Sequence, residues 1–143
     1  MTSNRDDWET PKELFEQLDL EFHFDLDAAS SDANAKCRMH YTAEQNGLSQ
    51  DWSGHRVFCN PPYGRAISEW VKKCSEEAEK PGTLVVMLIP ARTDTSYFHD
   101  YVLHRASEIR FIRGRLKFEL GGVPRKSAPF PSVIVVFDRE VDE

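Results

Sequence analysis

Thr83 to Ile89 is apolar on both faces. A strand of that kind is stable only where both of its sides are covered, at the centre of a largely parallel sheet. Around it the pattern keeps changing period. Upstream, Arg56-Val57-Phe58-Cys59 reads as a short strand running into Asn60-Pro61-Pro62-Tyr63-Gly64; then Ile67, Trp70, Val71, Cys74 and Ala78 recur at helical spacing until Pro81-Gly82 stops them. Downstream come a helical piece over Tyr97–His104, a strand over Ile109–Ile112, an extended piece at Leu116–Phe118 after Gly114, and a last strand over Val133–Phe137. At the front, Thr10-Pro11-Lys12-Glu13 looks like a capped helix start, with the Thr10 hydroxyl as cap and Leu14, Phe15 and Leu18 as its apolar stripe. Phe22 to Leu26 alternates as a strand ending at Asp27, and one short helix is expected near Ser31–Met39. The alternation of strand and helix predicts one α/β domain, its sheet covered by helices on both faces.

Several classes drop out. At 143 residues there is room for one core. The apolar run Leu84–Ile89 is far short of the roughly 20 residues a membrane span needs. Met1-Thr2-Ser3-Asn4-Arg5-Asp6-Asp7 has no apolar segment behind a basic one, so no secretory start is expected. Cys37, Cys59 and Cys74 are widely spaced, which argues against a disulfide framework or a zinc knuckle; the expectation is a cytoplasmic protein, in a host cell if phage or prophage encoded, with no metal. The net charge of -6 speaks weakly against a nucleic-acid partner, but its distribution matters more. Residues 1–59 hold five basic against twelve acidic side chains, whereas Arg105 to Lys126 holds seven basic ones against Glu108 and Glu119. An acidic front with a basic back is compatible with a local phosphate-binding face, or with a merely solvated surface.

Ligands of such sheets sit beyond the carboxyl ends of the strands. Three clusters fall there: Asp27 onward, Asn60–Tyr63 and Ala91–Thr95. Asn60-Pro61-Pro62-Tyr63 has a plain reading as a turn, since Asn-Pro and Pro-Pro both break regular structure. Its chemical reading accounts for each residue. The exocyclic amine of a nucleobase is a poor nucleophile because its lone pair is delocalised into the ring. The Asn60 side-chain oxygen and the Pro61 carbonyl can each accept one amine hydrogen, favouring a more tetrahedral nitrogen. Pro61 and Pro62 hold the backbone rigid, and Tyr63 offers a flat face on which an extruded base stacks. A sulfonium methyl nearby is then attacked in line, with no prior deprotonation.

Taken with its neighbours, the tetrapeptide resembles that of the phage-type Dam-like DNA adenine-N6 methyltransferases. The likeness runs from Trp8 to Phe137 through Trp8-Glu9-Thr10-Pro11, Phe24-Asp25-Leu26-Asp27-Ala28-Ala29, Asn34-Ala35-Lys36-Cys37, Gly47-Leu48 with Gln50-Asp51-Trp52, Asn60-Pro61-Pro62-Tyr63-Gly64, Pro90-Ala91-Arg92-Thr93-Asp94-Thr95, Gly114-Arg115-Leu116-Lys117-Phe118 and Ala128-Pro129-Phe130-Pro131. It implies a reduced Rossmann-like methyltransferase sheet and transfer of a methyl group from S-adenosyl-L-methionine to the adenine amino group in DNA.

The resemblance also implies roles. Thr10 and Pro11 match a segment that lies against the methionine part of the cofactor, while capping is their other reading. Asp27, with Ala28, matches the acidic position near the cofactor; its other reading is a turn cap. No Gly-x-Gly turn follows the first strand, where Ala28-Ala29-Ser30-Ser31 stands instead, so the adenosine pocket is unassigned. Asp51 and Trp52 are candidates for holding the cofactor's adenine, their other reading being a surface turn and a buried aromatic, and Asn60 is expected to border the cofactor as well as the amine. On the substrate side stand Arg115 and Lys117 for phosphates, Arg92 for a phosphate or the cofactor, and Tyr63 and Phe118 on the two faces of the flipped base. Arg92 reads equally as an ion-pair partner, Phe118 as a core aromatic, and Phe130 as packing rather than a side chain inserted into the duplex. Two rival functions remain: amide methylation of a protein glutamine, which uses a similar tetrapeptide, and a catalytically idle nucleic-acid-binding phage protein. Sequence preference falls to loops such as Gly121–Pro129, and a homodimer on the substrate stays open.

Overall fold

Thr10 does not cap the first helix. In the structure, a computed structural model that describes residues 8–141, helix α1 (Lys12–Phe22) begins at Pro11, whose carbonyl takes the Phe15 N–H at 3.1 Å. The side-chain cap comes from far along the chain: Glu119 Oε2 accepts the Lys12 N–H at 2.9 Å, placing a carboxylate where the helix dipole favours one. At its other end α1 runs further than the alternation of Phe22, Phe24 and Leu26 suggests. Phe15, Leu18 and Phe22 form one buried helical stripe, and this longer apolar period prevails over the two-residue one. His23 then closes the helix at φ 55°. The Met1–Asp7 segment, on which the expectation of no secretory start rests, lies outside the described residues.

Strand β1 (Leu26–Asp27) is therefore only two residues long, as is β2 (Met39–His40). The expected helix near Ser31–Met39 is absent. Ser31 and Asn34 take each other's backbone N–H groups with their side chains, and Asp27 takes that of Lys36, so local polar bonds win over helical ones. Beyond these, β3 (Arg56–Cys59), helix α2 (Ile67–Glu77) and β4 (Leu84–Pro90) fall where the pattern placed them, and every residue of β4 is buried. The expected helical piece is a π-helical segment, Phe98–Leu103. Strand β5 (Glu108–Phe111) follows. The extended piece anticipated at Leu116–Phe118 starts later, as a hairpin of β6 (Glu119–Leu120) and β7 (Val123–Pro124), and β8 (Ser132–Phe137) is the last strand.

The sheet order is β2-β1-β3-β4-β8-β5. The first four strands are parallel, and β8 is antiparallel to both β4 and β5. The last strand thus fills the gap between β4 and β5 instead of lying at the edge. Successive residues of β3 show that both faces are covered. The Phe58 ring meets Phe15 of α1 at 5.1 Å, while the Cys59 thiol meets Cys74 of α2. No helix among the described residues is long and apolar enough to cross a membrane.

Candidate active site

From β1 the chain pairs with β2 on one side and β3 on the other. Reversal of direction at that point opens a crevice at the carboxyl ends of the strands. There lies a cleft of about 680 Å³ whose lining includes Trp8, Glu9, Thr10, Asp27, Ala28, Ser30, Tyr41, Gly47, Phe58, Asn60, Pro61, Pro62 and Trp70. It unites Thr10, Asp27 and Ala28, expected on the cofactor side, with Asn60, Pro61 and Pro62 of the tetrapeptide.

Asn60 is the best-defined group. Its Nδ2 donates to the Trp8 carbonyl at 2.5 Å and to Thr10 Oγ1 at 3.0 Å. Because a carbonyl can only accept, the amide orientation is fixed. Oδ1 is left buried with no partner, and an unsatisfied buried acceptor of this kind costs about 1–3 kcal/mol. The buried Thr10 hydroxyl is thus committed to Asn60, which is why it is not a helix cap. Pro11 caps α1 and does not line the cleft.

Asp27 turns out to cap the turn and to line the cleft as well. Its Oδ1 accepts the Ala29 N–H at 3.3 Å and its Oδ2 the Lys36 N–H at 2.9 Å. Burial pushes its carboxyl up to about 6, against the opposing pull of those two N–H groups. Ser30 Oγ, also on the cleft wall, is a second buried polar atom without a partner.

Asp51 and Trp52 are placed elsewhere. Asp51 is exposed, with Oδ1 on Lys80 Nζ at 2.9 Å and on the Ser53 N–H at 3.0 Å, and Lys80 holds its carboxyl well below the usual range. Trp52 is fully buried behind the cleft, donating its indole N–H to the Gly47 carbonyl at 3.0 Å. Neither lines the cleft. Asp51→Ala is therefore expected to leave cofactor affinity within about twofold of wild type, since an exposed ion pair contributes little and this one lies outside the cleft. Isothermal titration with S-adenosylmethionine checks this; a tenfold loss would restore Asp51 to the site.

The base platform also differs from expectation. Tyr63 is buried, its hydroxyl donating to the Leu88 carbonyl at 3.0 Å. That bond draws the ring in against β4, edge-on to Phe118 and Phe130 at 6.1 and 5.8 Å. Phe118 is fully buried. Trp8 completes the cluster, edge-on to Phe118 at 5.5 Å and Phe130 at 5.1 Å, with the Arg125 guanidinium 4.3 Å over its ring. Neither Tyr63 nor Phe118 lines the cleft, so in this arrangement they are core aromatics, and Phe130 is too.

Arg92, Arg115 and Lys117 are exposed and outside the cleft. Arg92 lies 5.9 Å over Phe130, which Tyr63 also touches, so it does share a rim with the tetrapeptide. Arg115 reaches the Ala128 carbonyl at 3.4 Å. Of the basic stretch, Arg110 is clasped by Glu21 and Glu108, and Arg105 pairs with Glu79. Ser30 and the interior position of Gly47 carry no mark of a role in the sequence, and Trp70 has the spacing of a plain helix-face residue. Gly47 was visible only as part of Gly47-Leu48, and what it touches is set by a fold contact 19 positions away along the chain.

Residues 1–143 match the family model described as DNA N-6-adenine-methyltransferase (Dam). Over 120 residues the chain is 36% identical to a DNA N-6-adenine-methyltransferase of Escherichia phage T1, covering 82% of this chain and 49% of that protein. Over 112 residues it is 34% identical to one of Haemophilus phage HP1 (strain HP1c1), covering 77% and 64%. The chain thus spans about half the length of the first relative and less than two thirds of the second. With the family match running through every residue, the chain belongs to the DNA N-6-adenine-methyltransferase (Dam) family.

Proposed function

We propose that this chain is one methyltransferase domain that moves a methyl group from S-adenosyl-L-methionine to the N6 amine of adenine in DNA, acting as a site-specific adenine methyltransferase in the cytoplasm. The observation that carries the reading is Asn60: both donors are occupied by Trp8 and Thr10, and the only vacant capacity is a buried acceptor. An acceptor is what an amino group about to become nucleophilic requires. The neighbouring Pro61 lines the same cleft, and its backbone carbonyl is the second acceptor this reading assigns to the amine.

The cleft suits the cofactor. Its ionisable lining residues are Glu9, Asp27, Asp32 and Glu44 against a single Lys36, a field that favours a cation. Tyr41, Phe58 and Trp70 offer apolar wall for a purine, and Ser30 Oγ is an unused polar atom. When bound, the cofactor supplies an electrophilic methyl group on a sulfonium. The chain's own work is to hold the amine by Asn60 Oδ1. Arg113, Arg115, Lys117 and Lys126 are exposed, which favours a polyanionic substrate over a glutamine side chain. A merely binding module has no use for an unsatisfied buried acceptor.

The decisive test is to incubate the protein with duplex DNA and methyl-labelled S-adenosylmethionine, digest to nucleosides and identify the labelled one. Label on N6-methyldeoxyadenosine is expected; label on cytosine, or on protein only, overturns the reading. A pH dependence follows from Asp27. Its carboxyl stays protonated up to about 6, and a cation beside it prefers the ionised form. Affinity for S-adenosylmethionine is therefore expected to climb as pH rises towards about 6, by up to about tenfold per unit, and to level off above about 7. Titrations across that range check it; an affinity independent of pH would detach Asp27 from the cofactor.

A further inference from the structure

The β6–β7 hairpin has a feature that the cleft does not use. Gly121 and Gly122 make its two-residue turn at φ 61° and 82°, the conformation that suits tight hairpins. Across the turn Leu120 faces Val123 and, one step back, Glu119 faces Pro124. The Arg125 N–H donates to the Phe118 carbonyl at 2.7 Å, continuing the ladder to the root. Side chains alternate along a strand, so Phe118, Leu120, Val123 and Arg125 share one face and Glu119 takes the other. The root of the shared face is packed, with Phe118 and Arg125 both on Trp8. Its tip is not: Leu120 is 42% and Val123 64% exposed.

Building outward from Tyr63, Phe118 and Trp8, the hairpin therefore ends in a bare aliphatic pair beside the aromatic cluster that adjoins Asn60. The segments flanking the hairpin are rich in exposed cations. Arg113, Arg115, Lys117 and Lys126 are exposed, while the two acids at the hairpin are engaged, Glu119 by the Lys12 N–H and Glu9 by the Gly122 N–H at the turn. An apolar tip in a basic rim suits a polyanion with apolar planes between its charges, which is duplex DNA. We infer that Leu120 and Val123 form a wedge that enters the duplex and supports the stack when the target base is extruded towards Asn60. This rests on the methylation reading given above and adds the element that opens the helix.

The hairpin is also tied to the site. Glu9 and Glu119 exchange backbone bonds at 3.2 and 2.9 Å, next to the Trp8 and Thr10 groups that hold Asn60. A wedge is needed only where a base has to leave a stack, which a single strand largely spares. The test is Leu120→Ser with Val123→Ser, assayed on one sequence as duplex and as single strand. The ratio of duplex to single-strand kcat/KM is expected to fall by about tenfold or more relative to wild type. An unchanged ratio overturns the wedge while leaving DNA methylation standing. Should sedimentation show the double variant converting a dimer into a monomer with the ratio unchanged, the tip is instead a contact between copies. A wild type inactive on both DNA forms removes the methylation reading, and the wedge with it.

Discussion

Asn60→Ala is expected to lower the rate of methyl transfer by about two to three orders of magnitude, with S-adenosylmethionine still binding. That is the size of effect seen when one preorganised polar group is removed from a reacting centre. The substitution deletes the vacant acceptor and frees the Trp8 carbonyl and the Thr10 hydroxyl, which the amide holds in place. The two losses are separable. Asn60→Asp keeps an acceptor at Oδ1 but sets an oxygen against the Trp8 carbonyl, so it should unfold at lower temperature than wild type yet retain more chemistry than Asn60→Ala. Single-turnover label transfer, thermal melting and cofactor titration on the three proteins divide the roles. An Asn60→Ala variant transferring methyl within tenfold of wild type would take the amine away from this residue.

Much of the fold was readable because long apolar periods report it directly. The β4 run, the α2 stripe and the π-helical piece fall where the pattern set them. The failures share one cause, which is that short polar side chains have several partners open to them and only the fold selects one. Thr10 is an acceptable cap by its neighbours, yet the hydroxyl is claimed by Asn60, fifty positions away. The cap that does form is Glu119, with nothing in the local sequence to mark it. Asp51 stands beside a motif tryptophan, but Lys80 draws it to the surface. Tyr63 has the right identity for a stacking platform, and a carbonyl of β4 captures its hydroxyl. The tetrapeptide itself stands out in the sequence because its pattern lies in adjacent residues. What surrounds it does not, since Asn60 is oriented by the strap at Trp8–Thr10.

The missing glycine turn after β1 shows the same principle and leads to the other large effect. Ala28 stands where such a turn would carry a glycine, and its backbone is approached closely all the same, from the opposite side. A Cβ on Gly47 would lie 2.2 Å from the Ala28 carbonyl oxygen and 3.0 Å from the Trp70 ring. The ring could shift; the carbonyl belongs to the segment pinned by the Ala28 N–H on the Phe58 carbonyl at 3.0 Å. Gly47→Ala must therefore push its own loop outward, and that loop is fastened by the Trp52 indole on the Gly47 carbonyl. Overpacking of this kind costs about 1–3 kcal/mol or somewhat more, and it moves the wall that Ala28, Gly47 and Trp70 share in the cleft. The variant is expected to melt several degrees lower and to bind S-adenosylmethionine about a hundredfold more weakly. Gly54→Ala is the control: its φ of 80° makes any side chain strained, but open space surrounds it and the cleft is elsewhere, so its melting temperature should fall while cofactor affinity holds. If Gly47→Ala binds the cofactor as tightly as Gly54→Ala does, the close approach to Ala28 is packing alone and the adenosine of the cofactor is held by other residues.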